Sequence, residues 1–262
     1  MPAAPVRLPS FSATRAKSYV YRLPLFTGLI VFITVATWVV GALLGSKWDI
    51  QAWGALVPDE VGFATLYRTN TYPFVHLNFF HMIINVIAVT PFLERFESEF
   101  GTLTSLALFF GPFSTLPAAL YMLFEKAILR SNNGVMGASV WFFLLLGAEA
   151  IRTYRTNPHF TIATYNIPTW ITPLLLAFVI SALVPSTSLL GHLCGLIVGY
   201  ASGLGYLKFL SPPEKALRWI EGTFSLMQRL PRYVSVDQKT YGRFGVLPTV
   251  APVPGVALGV VA

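Results

Sequence analysis

The feature that most constrains this chain is a succession of apolar blocks, each nearly as long as a bilayer is thick. A membrane-spanning helix needs about 20 mostly apolar residues. Six stretches qualify fully or nearly, at approximately 25–44, 72–93, 102–124, 135–151, 169–187 and 189–208. Only 11% of the residues are charged, against about 25% in soluble domains, and the charges fall mainly between the blocks. A water-soluble globule is thereby excluded, and an all-α membrane protein with six transmembrane helices is expected.

Lysine and arginine collect on the cytosolic side of membrane proteins. With six spans both tails share one side. That side would carry fourteen Lys and Arg, from Arg7 through Arg95 and Arg152 to Arg243, against four (Lys47, Arg68, Lys126, Arg130) on the other. Both termini are therefore expected in the cytosol. The division is a cytosolic tail over 1–24, a six-span core over 25–208, and a cytosolic tail over 209–262. The net charge of +7 is spread between apolar blocks and builds no basic domain, so no nucleic-acid partner is expected. The basic, acid-free stretch from Met1 to Arg22 has the composition of a transit peptide, but a short cytosolic tail orienting the first span is the preferred reading. No secretory signal is expected. The single cysteine, Cys194, excludes an intrachain disulfide, and its apolar setting suits a buried, inert thiol. No Cys or His pair has structural-zinc spacing, so neither metal nor cofactor is expected.

In the second tail, Ser211-Pro212-Pro213 reads as a helix start. Leu217, Ile220, Phe224, Met227 and Leu230 then recur at helical spacing up to Pro231. The expectation is an amphipathic helix over about 213–230, lying on the cytosolic leaflet or against the bundle. The Pro/Gly/Val-rich stretch from Pro231 to Ala262 reads as disordered.

Polar side chains inside spans are costly, so they mark function by default. Here they are His76, His81 and Asn85 in the second span, Ser139 and Glu149 in the fourth, and His192 in the sixth. At 1.5 Å per residue, His76, His81, Ser139 and His192 fall at a shared depth on the luminal side, with Asn85 one helical turn below His81 on the same face. Glu149 lies ten residues beyond Ser139, toward the cytosol. Ser139 with His192 supplies a nucleophile and a base. No Asp or Glu stands at that depth to complete a triad. Gly137 and Ala138 leave the hydroxyl accessible, and a helix beginning nearby would aim free N–H groups at an oxyanion. Gly191, Gly195, Gly199 and Gly203 form a smooth ridge suited to close packing, expected to bring the sixth span against the fourth.

Taken together, Gly137-Ala138-Ser139, Gly191-His192-Leu193-Cys194-Gly195 with Gly199, and the His76, His81, Asn85 spacing resemble the rhomboid intramembrane proteases. Tyr67-Arg68 stands where that family has Trp-Arg. The resemblance covers roughly 25–208 and implies a rhomboid-like bundle with a Ser139–His192 dyad. It further implies oxyanion donation from Asn85, His81 and the Ser139 N–H, and support from His76 and Arg68. Phe143 takes the place where relatives often stack a Tyr on the histidine. Val140 replaces the second Gly of the family's G-x-S-G, and Gly191 stands where Ala is common.

The short loop from Glu94 to Gly101 and the basic, Pro-rich tail are similar to those of fungal Golgi rhomboids. The resemblance therefore implies a multi-pass protein of the Golgi membrane, ahead of ER or endosomal membranes. The lack of a seventh span speaks against the mitochondrial inner membrane. The implied partners are the lipid bilayer and single-pass membrane substrates, with membrane-bound transcription-factor precursors as one substrate type. Fungal relatives recruit a cytosolic AAA-ATPase through a Phe-Gly…Leu tail motif. Phe244-Gly245-Val246-Leu247 is a degenerate candidate for it, with a chance match as the competing reading. Two other functions compete: a non-proteolytic rhomboid-like adaptor that holds clients for such an ATPase, and a transporter using His76, His81 and His192 as a proton relay. The transporter reading lacks any inverted repeat of spans.

Overall fold

The structure, a computed structural model, describes residues 13–45, 47–162, 164–184, 187–224 and 227–240. A short helix, α1 (Ala13–Val20), precedes the first apolar helix, α2 (Leu25–Leu44). The following loop holds α3 (Ile50–Gly54), two 3-10 turns and α4 (Arg68–Thr71). Then come α5 (Phe79–Phe100), α6 (Thr102–Phe109) and α7 (Pro112–Leu123), the last continuing as a π-helical turn to Leu129. After α8 (Ser139–Thr156), strands β1 (His159–Ile162) and β2 (Tyr165–Pro168) pair antiparallel. The chain continues through α9 (Thr172–Leu183), α10 (Leu189–Leu204) and α11 (Glu214–Thr223). The fold is thus mostly helical, and the β1–β2 hairpin corrects the all-α expectation. Its strands are rich in β-branched and aromatic residues, which favour pairing.

Three helices are by themselves long and apolar enough to cross a bilayer: Leu25–Leu44, Phe79–Phe100 and Thr102–Leu129. Leu189–Leu204 passes that test only together with Lys208–Thr223, from which a 92° bend separates it. Local chemistry moves several boundaries. The predicted second span begins seven residues late, at Phe79, because Asn78 caps α5. Its backbone is extended and its side chain accepts from the His81 N–H at 2.9 Å. His76 therefore lies ahead of the helix and not within it. The predicted third span is interrupted at Phe110-Gly111, where Pro112 opens α7. The fourth begins at Ser139 and not at 135.

The Gly ridge is realised. The α8–α10 pair packs more extensively than any other. A Cβ on Gly195 would come within 2.5 Å of the Val140 carbonyl oxygen, and one on Gly203 within 2.7 Å of the Ala148 oxygen. One on Gly199 would overlap the Leu144 oxygen. These glycines let backbone touch backbone. Trp141, Phe109, Phe26 and Tyr121 fill the core beside this seam, and Trp141 Nε1 donates to Ser114 Oγ at 3.1 Å.

At the other end of the bundle, Glu97 is fully buried on α5. It accepts from the N–H groups of Phe26 and Thr27 at 2.8 Å, from Thr27 Oγ1 at 2.9 Å and from Thr102 Oγ1 at 2.7 Å. One carboxylate thus satisfies orphan donors at the start of α2 and ties α6 to them. Nearby, Arg95 pairs with Glu149 at 2.8 Å and Arg152 with Glu99 at 2.7 Å.

The tail helix is shorter than expected, ending at Thr223, where Gly222 and Thr223 are poor helix formers. Leu217 is buried and Trp219 exposed, so one face packs on the protein. The expectation of disorder from Pro231 is corrected for 231–240, which run along the bundle. Leu25 N–H donates to Arg232 O, Thr102 N–H to Val234 O and Val234 N–H to Thr102 Oγ1, each at 2.9 Å. Buried Glu221 accepts from Tyr233 Oη at 2.8 Å and Val236 N–H at 3.0 Å. Burial and the Glu221 bond push the Tyr233 phenol above its ordinary pKa, so it stays a donor. Composition hides this because ordering depends on two apolar anchors, Tyr233 and Val236. Phe244 and Leu247 lie outside the described residues, as does Arg7.

Candidate active site

Four helices build one cavity of about 270 Å³. Ser139 and Phe143 come from α8, His192 from α10, His81 and Asn85 from α5, and Ile180 and Val184 from α9. The loop between α2 and α5 braces it. Leu56 and Val135 exchange backbone hydrogen bonds at 3.0 and 2.9 Å, holding the strand-like approach to Ser139. Gln51 Nε2 donates to the carbonyls of His76 and Leu77.

The turn before Ser139 is shaped by Gly137, whose φ of +116° disfavours any side chain. A Cβ there would also lie 3.0 Å from His81 Cε1 and 3.1 Å from its Nε2. Gly137 N–H donates to Tyr72 O at 2.9 Å and Ala138 N–H to His76 Nε2 at 3.2 Å. His76 Nδ1 meets Phe74 O at 3.1 Å. A carbonyl only accepts, so Nδ1 carries the proton and Nε2 accepts from Ala138. His76 is thus a brace beneath the turn. Ser139 is then the first residue of α8, where N–H groups have no partner within the helix. The hydroxyl and the main-chain N–H of Ser139 share one turn.

His81 stands over this turn, its ring 5.2 Å from that of His76. Among the described residues its Nδ1 is buried without a hydrogen-bond partner. Asn85 spends one amide hydrogen on the His81 carbonyl at 2.8 Å, leaving the second for the cavity. His192 is 2% exposed. Its ring lies against Phe143, centroids 4.4 Å apart and planes 32° from parallel. Val140 is buried in the core and does not line the cavity, so this departure from G-x-S-G leaves the site's width unchanged. Arg68 lies outside the cavity. Its Nη1 donates to Ala55 O at 2.8 Å and its Nη2 pairs with Glu60 at 2.9 Å, fastening the loop.

The sequence reasoning missed the contribution of α9. Ser181 Oγ lies 3.4 Å from His192 Nδ1. Its only signal was a hydroxyl in an otherwise apolar run, which ordinarily means a bond to a carbonyl one turn back.

A hydroxyl at a helix start, an imidazole on the abutting helix and two polar groups facing them are the kinds of group that acyl transfer requires. The family described as the Rhomboid domain matches residues 63–209. The chain belongs to the rhomboid family. The match runs from the loop ahead of α4 past α10 and so includes every site residue named above. Among curated relatives, the rhomboid-type serine protease 2 of Neurospora crassa is 65% identical over 92% of this chain and 88% of its own. The protein of that name from Podospora anserina is 54% identical over 98% and 97%. The rhomboid-type serine protease B of Aspergillus fumigatus is 56% identical over 97% and 93%.

Proposed function

We propose that this rhomboid is an intramembrane serine endopeptidase that uses a Ser139–His192 dyad. The observation that carries the reading is the single cavity that gathers Ser139, His192, His81 and Asn85 from three helices. His192 takes the Ser139 proton as Oγ attacks the scissile carbonyl carbon. The oxyanion accepts hydrogen bonds from the Ser139 N–H, the free Asn85 amide hydrogen and the His81 ring. His192 then protonates the leaving amine. In the second half it deprotonates the water that hydrolyses the acyl-enzyme.

The helices α2, α5, α6–α7, α8, α9 and α10 form six spans, with both tails in the cytosol. The Arg95–Glu149 and Arg152–Glu99 pairs at the end away from Ser139 support a cytosolic position for that end, and the dyad lies toward the lumen, where water enters. Ser139 and Glu149 sit ten residues apart on α8, about 15 Å of helix rise. Substrates are single-span membrane proteins. Phe80 and Ile84 of α5 and Val184 of α9 line the cavity and are exposed, so a peptide enters between those helices. Its backbone must leave the helix to reach Ser139, so helix-weakening residues near the cut favour cleavage. The Golgi membrane is the expected location, membrane-bound transcription-factor precursors are candidate substrates, and Phe244 and Leu247 are the candidate contact for a cytosolic AAA-ATPase.

The test is co-expression of a reporter single-span substrate with wild type, Ser139→Ala or His192→Ala, alongside labelling by a fluorophosphonate probe. Cleavage and labelling in the wild type alone are expected. Labelling that persists in Ser139→Ala would sink the dyad.

A further inference from the structure

A histidine base works through one ring nitrogen only if the other holds the proton, and that is fixed by the second nitrogen's hydrogen bond. A dyad has no carboxylate to do this. We propose that Ser181 of α9 is the positioning residue that does it here. The inference rests on the Ser139–His192 reading.

Ser181 Oγ and His192 Nδ1 are 3.4 Å apart. With Nδ1 turned toward α9, Nε2 on the far side of the ring is the nitrogen left to receive the Ser139 proton. Ser181 then accepts from Nδ1–H. The bond is long at rest and shortens as positive charge develops on the ring, as catalytic hydrogen bonds do on going to the transition state.

The behaviour of other helix hydroxyls sets Ser181 apart. Thr37, Thr90, Ser98, Ser105 and Thr115 each donate to the carbonyl four residues back. Among the described residues Ser181 makes no such bond, and its hydrogen-bonding contact is the imidazole. Thr187, the hydroxyl beyond α9 that lines the cavity, is committed to Val184 O at 2.9 Å. Phe143 fixes the plane of the ring, and Ser181 fixes its rotation within that plane. The other groups facing the ring are Ser139 from α8 and His81 from α5, neither of them acidic.

The full chain in detergent tests this through Ser181→Ala and Ser181→Thr, with kcat and KM on a transmembrane reporter. A histidine-selective 15N spectrum reads the tautomer directly. The chain has only four histidines, so His192→Ala assigns the signal. Ser181→Ala is expected to lower kcat about 3–10-fold with KM within about twofold, and to shift His192 from Nδ1–H toward a mixture. Ser181→Thr, which keeps the hydroxyl, is expected to restore both. An unchanged kcat or tautomer in Ser181→Ala overturns the proposal. Equal losses in Ala and Thr also overturn it, since they indicate packing and not the hydroxyl. His192→Ala separates the two levels. If it still labels with fluorophosphonate, the dyad fails and this inference with it. If it does not label while Ser181→Ala keeps wild-type kcat, the dyad stands and the positioning role alone falls.

Discussion

Phe143 covers one face of the His192 imidazole, its ring centroid 4.4 Å away, so that ring is held by an aromatic plane with no hydroxyl of its own. Phe143→Leu keeps apolar volume but removes a ring contact worth about 0.5–1.5 kcal/mol. The expected result is a loss in kcat of about 2–12-fold with the chain still folded. Phe143→Tyr should retain activity. Steady-state cleavage of a reporter checks both.

Gly199→Ala would force a methyl into the Leu144 carbonyl. Because the obstacle is backbone, α8 and α10 must separate, and overpacking of this kind costs about 1–3 kcal/mol or more. Thermal unfolding in detergent should show a lowered midpoint. Probe labelling of Ser139 should fall further than Gly28→Ala produces, since a Cβ at Gly28 meets nothing within 4 Å.

Glu97→Gln keeps the shape of a buried side chain that accepts four hydrogen bonds. The amide's NH2 would face donors, and hydrogen bonds to a charged group contribute about 1.5–3 kcal/mol each. A marked drop in thermal midpoint is expected. The kcat of the folded fraction should be near wild type, because Glu97 lines neither wall of the cavity.

Gly137→Ala combines a left-handed backbone with a close approach to His81. Either the turn or the His81 ring must move, and both belong to the proposed oxyanion side. A fall in kcat of at least about tenfold is expected, with KM little changed, measured on the same reporter.

Ending the chain at Leu230 removes Tyr233, Val236 and the backbone bonds from 232 and 234 to α2 and α6. It also leaves Glu221 buried without its two donors. Ending it at Thr240 keeps all of these. The shorter chain should unfold at a lower temperature and the longer should match wild type.

How much of this was legible in the sequence depended on the range of the interactions. Period and polarity mark Ser139, His192, His81 and Asn85, because a polar group inside an apolar run stands out locally. The Gly ridge is legible for the same reason. Helix starts were misjudged where a cap decides them: Asn78, not the onset of hydrophobicity, begins α5. Ser181 was passed over because its partner is eleven residues away on another helix, and nothing local separates it from an ordinary helix hydroxyl. The ordered segment at 231–240 was missed for a similar reason. Its anchoring bonds reach back to Leu25 and Thr102, far beyond any window of composition.

The main-chain contact between α8 and α10 has a consequence for how this site can change over time. Gly195, Gly199 and Gly203 of α10 each sit against a carbonyl oxygen of α8, so the separation of Ser139 and His192 is set by backbone atoms that every residue shares. Side chains around Ser139 and His192 can then differ without moving either residue. Alignment cannot drift by degrees. A slip of one residue along the seam turns His192 by about 100° and drives a side chain into a carbonyl. A change at these three glycines therefore acts on the frame itself, whereas a change in the side chains around it leaves the frame in place.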